Sequence, residues 1–145
     1  MATEHGGIIE QLRRNAVALV SLAVALSSLG YNTWRNEQTE ANRNQRQAAF
    51  EVLLKLGELQ RLVFHSHYDR DAEQGNPRTG WAYILTVRDL AQVIGTPMTG
   101  MADELLATWS AHWQDLGNDE SGAEVIISGI DRARESTLQV LRALD

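Results

Sequence analysis

The sequence predicts an all-α chain: one N-terminal transmembrane helix, continued through a polar stalk into an antiparallel four-helix bundle. Three observations predict it. Residues 15–34 hold no charged side chain, yet are walled by Arg13 and Arg14 on one side and Arg35 on the other. Further on, apolar residues recur at steps of three and four, the spacing of helices with one buried face. No segment alternates with period two, so no strand is expected.

The elements follow in order. Residues 1–14 read as a short tail, with Gly6-Gly7 breaking any early helix. Ile8, Ile9 and Leu12 extend the apolar segment toward the interface. Residues 15–34 match the roughly 20 apolar residues that cross a bilayer as one helix. Tyr31 and Trp34 lie at the C-terminal edge, where amphipathic rings prefer the headgroup layer. Two other readings are weaker. A signal peptide cut after Ala23-Val24-Ala25 would be cleaved inside its own apolar run. A buried core helix that is apolar all round would need a larger core than this chain offers.

Residues 35–47 carry no large apolar residue and no Pro or Gly. They are expected to form a polar helical stalk of about 20 Å, at about 1.5 Å per residue. The bundle is expected over residues 48–145. Its first helix carries Ala49, Val52, Leu53, Leu56, Leu59 and Val63, with Phe50, Leu54 and Leu62 widening the stripe. It should reach about Glu73, until Gly75-Asn76-Pro77 stops it. Gly57 in its middle suggests close helix packing.

The second helix reads from about Thr79 to Ile94, with Trp81, Ile84, Leu85, Val87, Leu90, Ala91 and Ile94 inward. Thr96 suits an N-cap and Pro97 the first helical position. The third helix then runs to about Leu116 on Ala102, Leu105, Leu106, Trp109 and Trp113. Ser121 and Glu124 are spaced for a capping box. The fourth helix carries Ile126, Ile130, Ala133, Thr137, Val140 and Leu144, a heptad-like seam. Short loops make neighbouring helices antiparallel.

Composition narrows the function. A net charge of −6 argues against nucleic acid as partner. The absence of cysteine excludes disulfides, thiol catalysis and cysteine-ligated metals. Positive charges near the span are nearly balanced between its two sides. A single downstream lysine, Lys55, tilts the bundle to the outer or periplasmic face of a bacterial-type inner membrane.

His65, His67, Asp69 and Asp71 form the densest set of candidate ligands. His65 and Asp69, like His67 and Asp71, share a face at i, i+4, the spacing that lets imidazole and carboxylate meet at a metal. His112 on the third helix is a further candidate, but no complete metal motif is present. Trp81, Trp109 and Trp113 suggest either core or an aromatic-lined pocket for a small ligand or lipid. Between residues 89 and 131 there are eight acids and no lysine or arginine. Asp103, Glu104, Asp115, Asp119, Glu120 and Glu124 give this run its acidic surface. Such a surface avoids anionic headgroups or docks a basic partner.

The leading expectation is a non-catalytic interaction module: accessory subunit, scaffold or sensor-like regulator of a membrane complex. It contacts lipid through residues 15–34 and a protein partner or a second copy through its bundle. No cofactor is expected. A metal-binding or metal-dependent enzyme and a small-ligand sensor are the alternatives. The layout of span, stalk and bundle resembles the sensing portion of bacterial receptors. Without a second span or an output domain here, signalling would pass through a partner.

Overall fold

Helix α1 (Glu4–His67) begins earlier than its glycines suggest. The expected break at Gly6-Gly7 is corrected: the backbone is helical through both. Each glycine costs about 1 kcal/mol against alanine, but a helix already nucleated downstream extends at one hydrogen bond per residue. The computed structural model describes the backbone of residues 4–144, and their side chains except those of residues 4–9 and Leu12. The expected role of Ile8, Ile9 and Leu12 therefore lies outside the described side chains. The chain divides into two units, Met1–Ala41 and Asn42–Asp145.

In the first unit α1 is bare. Every side chain of residues 13–41 is exposed, including Val17 at 73%, Leu22 at 55% and Leu29 at 65%. The described residues of this chain do not cover the segment as they would a core helix. Among the described residues, α1 is the one helix long and apolar enough to cross a membrane. The Tyr31 and Trp34 rings, one turn apart, lie 6.1 Å from each other.

The second unit begins at Asn42. It holds the rest of α1 with α2 (Pro77–Ile94), α3 (Met98–His112) and α4 (Glu120–Ala143). The buried row of α1 is Ala49, Val52, Leu56, Leu59 and Val63, one face at helical spacing. It meets Ile84, Val87 and Ala91 of α2, Ala102, Leu105 and Trp109 of α3, and Ile126, Ile130 and Ala133 of α4 in one core. Arg46 donates to the Leu144 carbonyl at 2.7 Å, and Arg134 donates to Gln60 Oε1 at 2.6 Å. Increasing numbers on α1 meet decreasing numbers on α4, so these two helices are antiparallel. Helices α2 and α3, and α3 and α4, pack directly. Lys55 of α1 lies over the Tyr83 ring of α2. The fold is all-α, as expected.

Several boundaries differ from expectation. Helix α1 ends at His67 rather than near Glu73. The amides of Tyr68 and Asp69 both turn back to the Phe64 carbonyl, and Arg70 takes a left-handed φ of 53°. The Asp71 carboxylate then accepts from the amides of Glu73 and Gln74, a local bond that competes with continuing the helix. Gly75 packs against the backbone of Ser66 and Asp71, where a Cβ has no room. Asn76 and Pro77 start α2 instead of stopping α1: Asn76 Oδ1 accepts from the Arg78 amide at 3.0 Å.

At α3 the N-cap is Pro97, not Thr96. The helix stops at His112, though Leu116 is still buried, from the following loop. At α4 the N-cap is Asp119, so Ser121 lies inside the helix and the expected capping box does not form. Phe50, Leu54 and Leu85 are exposed rather than inward. Gly57 is also exposed, with nothing within 4 Å of where its Cβ would sit, so close packing inside the bundle does not explain it. Met98, not expected in the core, is fully buried and its sulfur accepts from the Thr137 hydroxyl at 3.4 Å.

Candidate functional site

The histidine–carboxylate cluster straddles the end of α1, and its members are engaged in shaping that end. His65 Nδ1 and Asp69 Oδ2 lie 2.8 Å apart, closing one turn of the helix. His67 Nδ1 donates to the Leu116 carbonyl at 3.2 Å, tying α1 to the loop before α4. His112 sits at the other end of that loop, its ring facing Gly122. Among the described residues, no group of three His, Asp or Glu side chains is placed to hold a metal ion.

Asp71 is the turn's organiser. The amide of Gln74, then that of Glu73, donates to its carboxylate and holds it below the usual aspartate range, with a smaller contribution from nearby His65. A depressed carboxylate stabilises the folded turn above its unfolded pKa, about 3.9. That contribution is lost as pH falls through the lower, folded value. The protection of the Glu73 and Gln74 amides, measured against their unprotected exchange rate at the same pH, is therefore expected to fall as pH drops below about 4. Asp71→Ala should remove that protection already at neutral pH. Protection that ignores both changes would reject the assignment.

The three tryptophans do not act as one set. Trp109 is fully buried, its six-membered ring lying over Gly80 of α2 where a side chain would otherwise stand. Trp81 and Trp113 are half-buried against the core, edge to face with ring centres 5.9 Å apart.

The acidic run maps to the surface of α3, the following loop and α4. Asp103, Glu104, Asp115, Glu120 and Glu124 are exposed, and Asp119 is half-buried at the start of α4. Arg88 lies 3.6 Å from Asp89, and Arg134 lies 2.7 Å from Asp131. Asp103, Glu104, Glu120 and Glu124 have no cationic partner among the described residues.

Glu124 also lines an open groove of 570 Å³ between the end of α1 and α4. Tyr68 and Ile127 give the groove apolar surface. Asp131 and Glu135 add carboxylates, against one guanidinium, Arg132. Ile127 and Glu135 were not singled out in the sequence. The signal was there: 124, 131 and 135 fall at steps of seven and four, one face of a helix.

A second surface is the outer side of α1. Phe50, Leu54 and Phe64 are 55%, 63% and 40% exposed, and Tyr68, in the turn just past the helix, is 58% exposed. The sequence showed Phe50 and Leu54 as extra width of the buried stripe. Yet residues two apart on a helix point about 200° from each other, so a row through 50 and 54 opposes one through 52 and 56. Comparison with protein-family models, curated proteins and solved structures returns no match.

Proposed function

We propose that this chain is a single-span, membrane-anchored helical-bundle interaction module: an accessory subunit, scaffold or sensor-like regulator of a membrane complex, without catalysis of its own. The observation that carries this is the bare apolar stretch of α1 over residues 15–34. Its arginine flanks and its Tyr31–Trp34 edge suit a bilayer. On the bundle, exposed carboxylates without cationic neighbours suit a basic partner. The sparse lysine content downstream of the span supports an outer or periplasmic bundle.

Photocrosslinking of the full-length chain in its native membrane tests this. Probes at exposed Glu104 and Glu124 are expected to capture a second, different protein, more weakly at raised salt, where exposed charges are screened. Only self-crosslinks would end the accessory-subunit reading. A reporter fused after Asp145 reads which side the bundle occupies, with an outward signal expected.

A further inference from the structure

We propose that the cleft between the end of α1, the turn that follows it and the loop before α4 binds a small oxyanion, a carboxylate or phosphate group, with Arg70 as its charge anchor. This deepens the sensor-like regulator reading above and rests on it for the site's purpose, because it gives that regulator a ligand.

Three stretches distant in sequence line the cleft. Ser66 comes from α1, Arg70, Asp71 and Gly75 from the turn, and Gly117 and Asn118 from the loop. Its volume is 330 Å³, at the lower end of the range for small-molecule sites. The walls are fastened to each other. His67 donates to the Leu116 carbonyl, next to Gly117. Gly75 sits against the backbone of Ser66 and Asp71 with no room for a Cβ. Gly117 differs, because a Cβ there would meet only the Ser66 carbonyl at 3.5 Å and the Ser66 hydroxyl at 3.8 Å. Its missing side chain leaves that hydroxyl uncovered on the cleft side.

The polar groups of these walls are uncommitted, and all of them can donate. Among the described residues the Arg70 guanidinium has no ion pair, although aspartates flank it on both sides in the chain. Asp69 turns to His65 instead. The Asp71 carboxylate accepts from the Glu73 and Gln74 amides and from the Gln74 side chain, so its charge is already met within the turn. The Ser66 hydroxyl and the Asn118 side-chain amide make no hydrogen bond among the described residues.

Arg70 also stands where a side chain is unfavourable. Its φ of 53° is left-handed, a conformation that crowds the Cβ of any L-residue and is nearly free for glycine. A turn alone would close better on glycine, so a side chain kept there points to a use for it. The planar guanidinium matches a carboxylate or a phosphate with two parallel hydrogen bonds. The exposed carboxylates elsewhere on the bundle repel polyanions, which restricts the ligand to a small molecule of low charge.

Arginine side-chain NMR of the full-length protein in detergent tests the site. Inorganic phosphate and, separately, acetate would be titrated at an ionic strength held constant with sodium chloride. The Arg70 Nε–H signal, assigned by its absence in Arg70→Gln, is expected to shift saturably with at least one of them, and which one names the group. Half-saturation is expected at about 1 mM, the strength of a few charge-assisted hydrogen bonds at an open site. The signal of Arg61, exposed on α1, should not saturate. Gly117→Val, which fills the space beside Ser66, and Asn118→Ala should each weaken binding about tenfold, the worth of one such hydrogen bond. Circular dichroism checks that both variants keep their helices. Arg70→Gly separates ligand from fold: it should lose the stabilisation by the bound ion, yet melt higher than the unaltered chain when neither ion is present.

A linear drift with both ions, or equal shifts at Arg61 and Arg70, means an adventitious ion only and overturns the site. Binding that survives both Gly117→Val and Asn118→Ala overturns it too. So does a lower melting temperature in Arg70→Gly, which would make the arginine a structural part of the turn. Saturable binding with no partner captured at Glu104 or Glu124 leaves the site standing and removes the interaction module. Partner capture without binding does the reverse.

Discussion

Trp109→Ala is expected to destabilise the bundle by about 3–5 kcal/mol, the range for removing a large aromatic from a packed core. Chemical denaturation of the full-length chain in detergent, followed by helicity, would read it. Trp109 is the largest fully buried side chain, and α2 gives up a side chain at Gly80 to seat it. Yet its indole Nε1 finds no acceptor among the described residues. An unsatisfied buried donor costs about 1–3 kcal/mol. Trp109→Phe, which keeps a ring and discards that donor, is therefore expected to cost far less than Trp109→Ala.

Gly80→Ala tests the same contact from the other side. Alanine improves helix propensity by about 1 kcal/mol. Its Cβ, however, would overlap the Trp109 ring, and overpacking a core costs about 1–3 kcal/mol. The net effect should be destabilising, and Trp109→Phe should relieve part of it. The double variant is then more stable than the two single effects add up to, by the coupling expected of touching residues. Strict additivity would mean that Trp109 does not rest on Gly80.

How far the sequence carried can be judged at this same contact. Trp109 was readable as core because it continues the row Ala102, Leu105, Leu106 at helical spacing. Gly80 was not readable, since a glycine near the start of a helix looks like weak propensity, and its reason lies on another helix. The end of α1 failed similarly. Nothing between His65 and Gln74 breaks a helix by type, but the Asp71 side chain captures two amides that a helix would use. Local competition of that kind is decided by geometry, not by composition. Conversely, the bare segment over residues 15–34 was fully legible, because it depends on length, charge and flanks alone. The outer row of α1 lay between these cases: its period was visible, but two interleaved rows on one helix looked like one broad stripe.

If residues 15–34 anchor the chain as proposed, charging them is expected to release it from the membrane. Between residues 15 and 34 there are seven valines and leucines. At roughly −0.3 to −0.6 kcal/mol each near the helix centre, they supply about −2 to −4 kcal/mol toward insertion. One central arginine opposes this with about +2.5 to +3.5 kcal/mol, which only brings insertion near balance. Two, as in Leu22→Arg with Leu26→Arg, reverse it even at the favourable limit. The single variant should thus divide between fractions, and the double variant should leave the pellet under alkaline carbonate extraction. Because the bundle has its own core, beginning at Ala48, the released chain should keep the helicity of residues 42–145. A double variant that stays in the pellet would mean that something other than residues 15–34 holds this protein to the membrane. The intact mass of the unaltered chain completes the test. A full-length mass in the pellet fits an anchor, whereas a chain beginning after Ala25 would mean that this segment is cut as a signal.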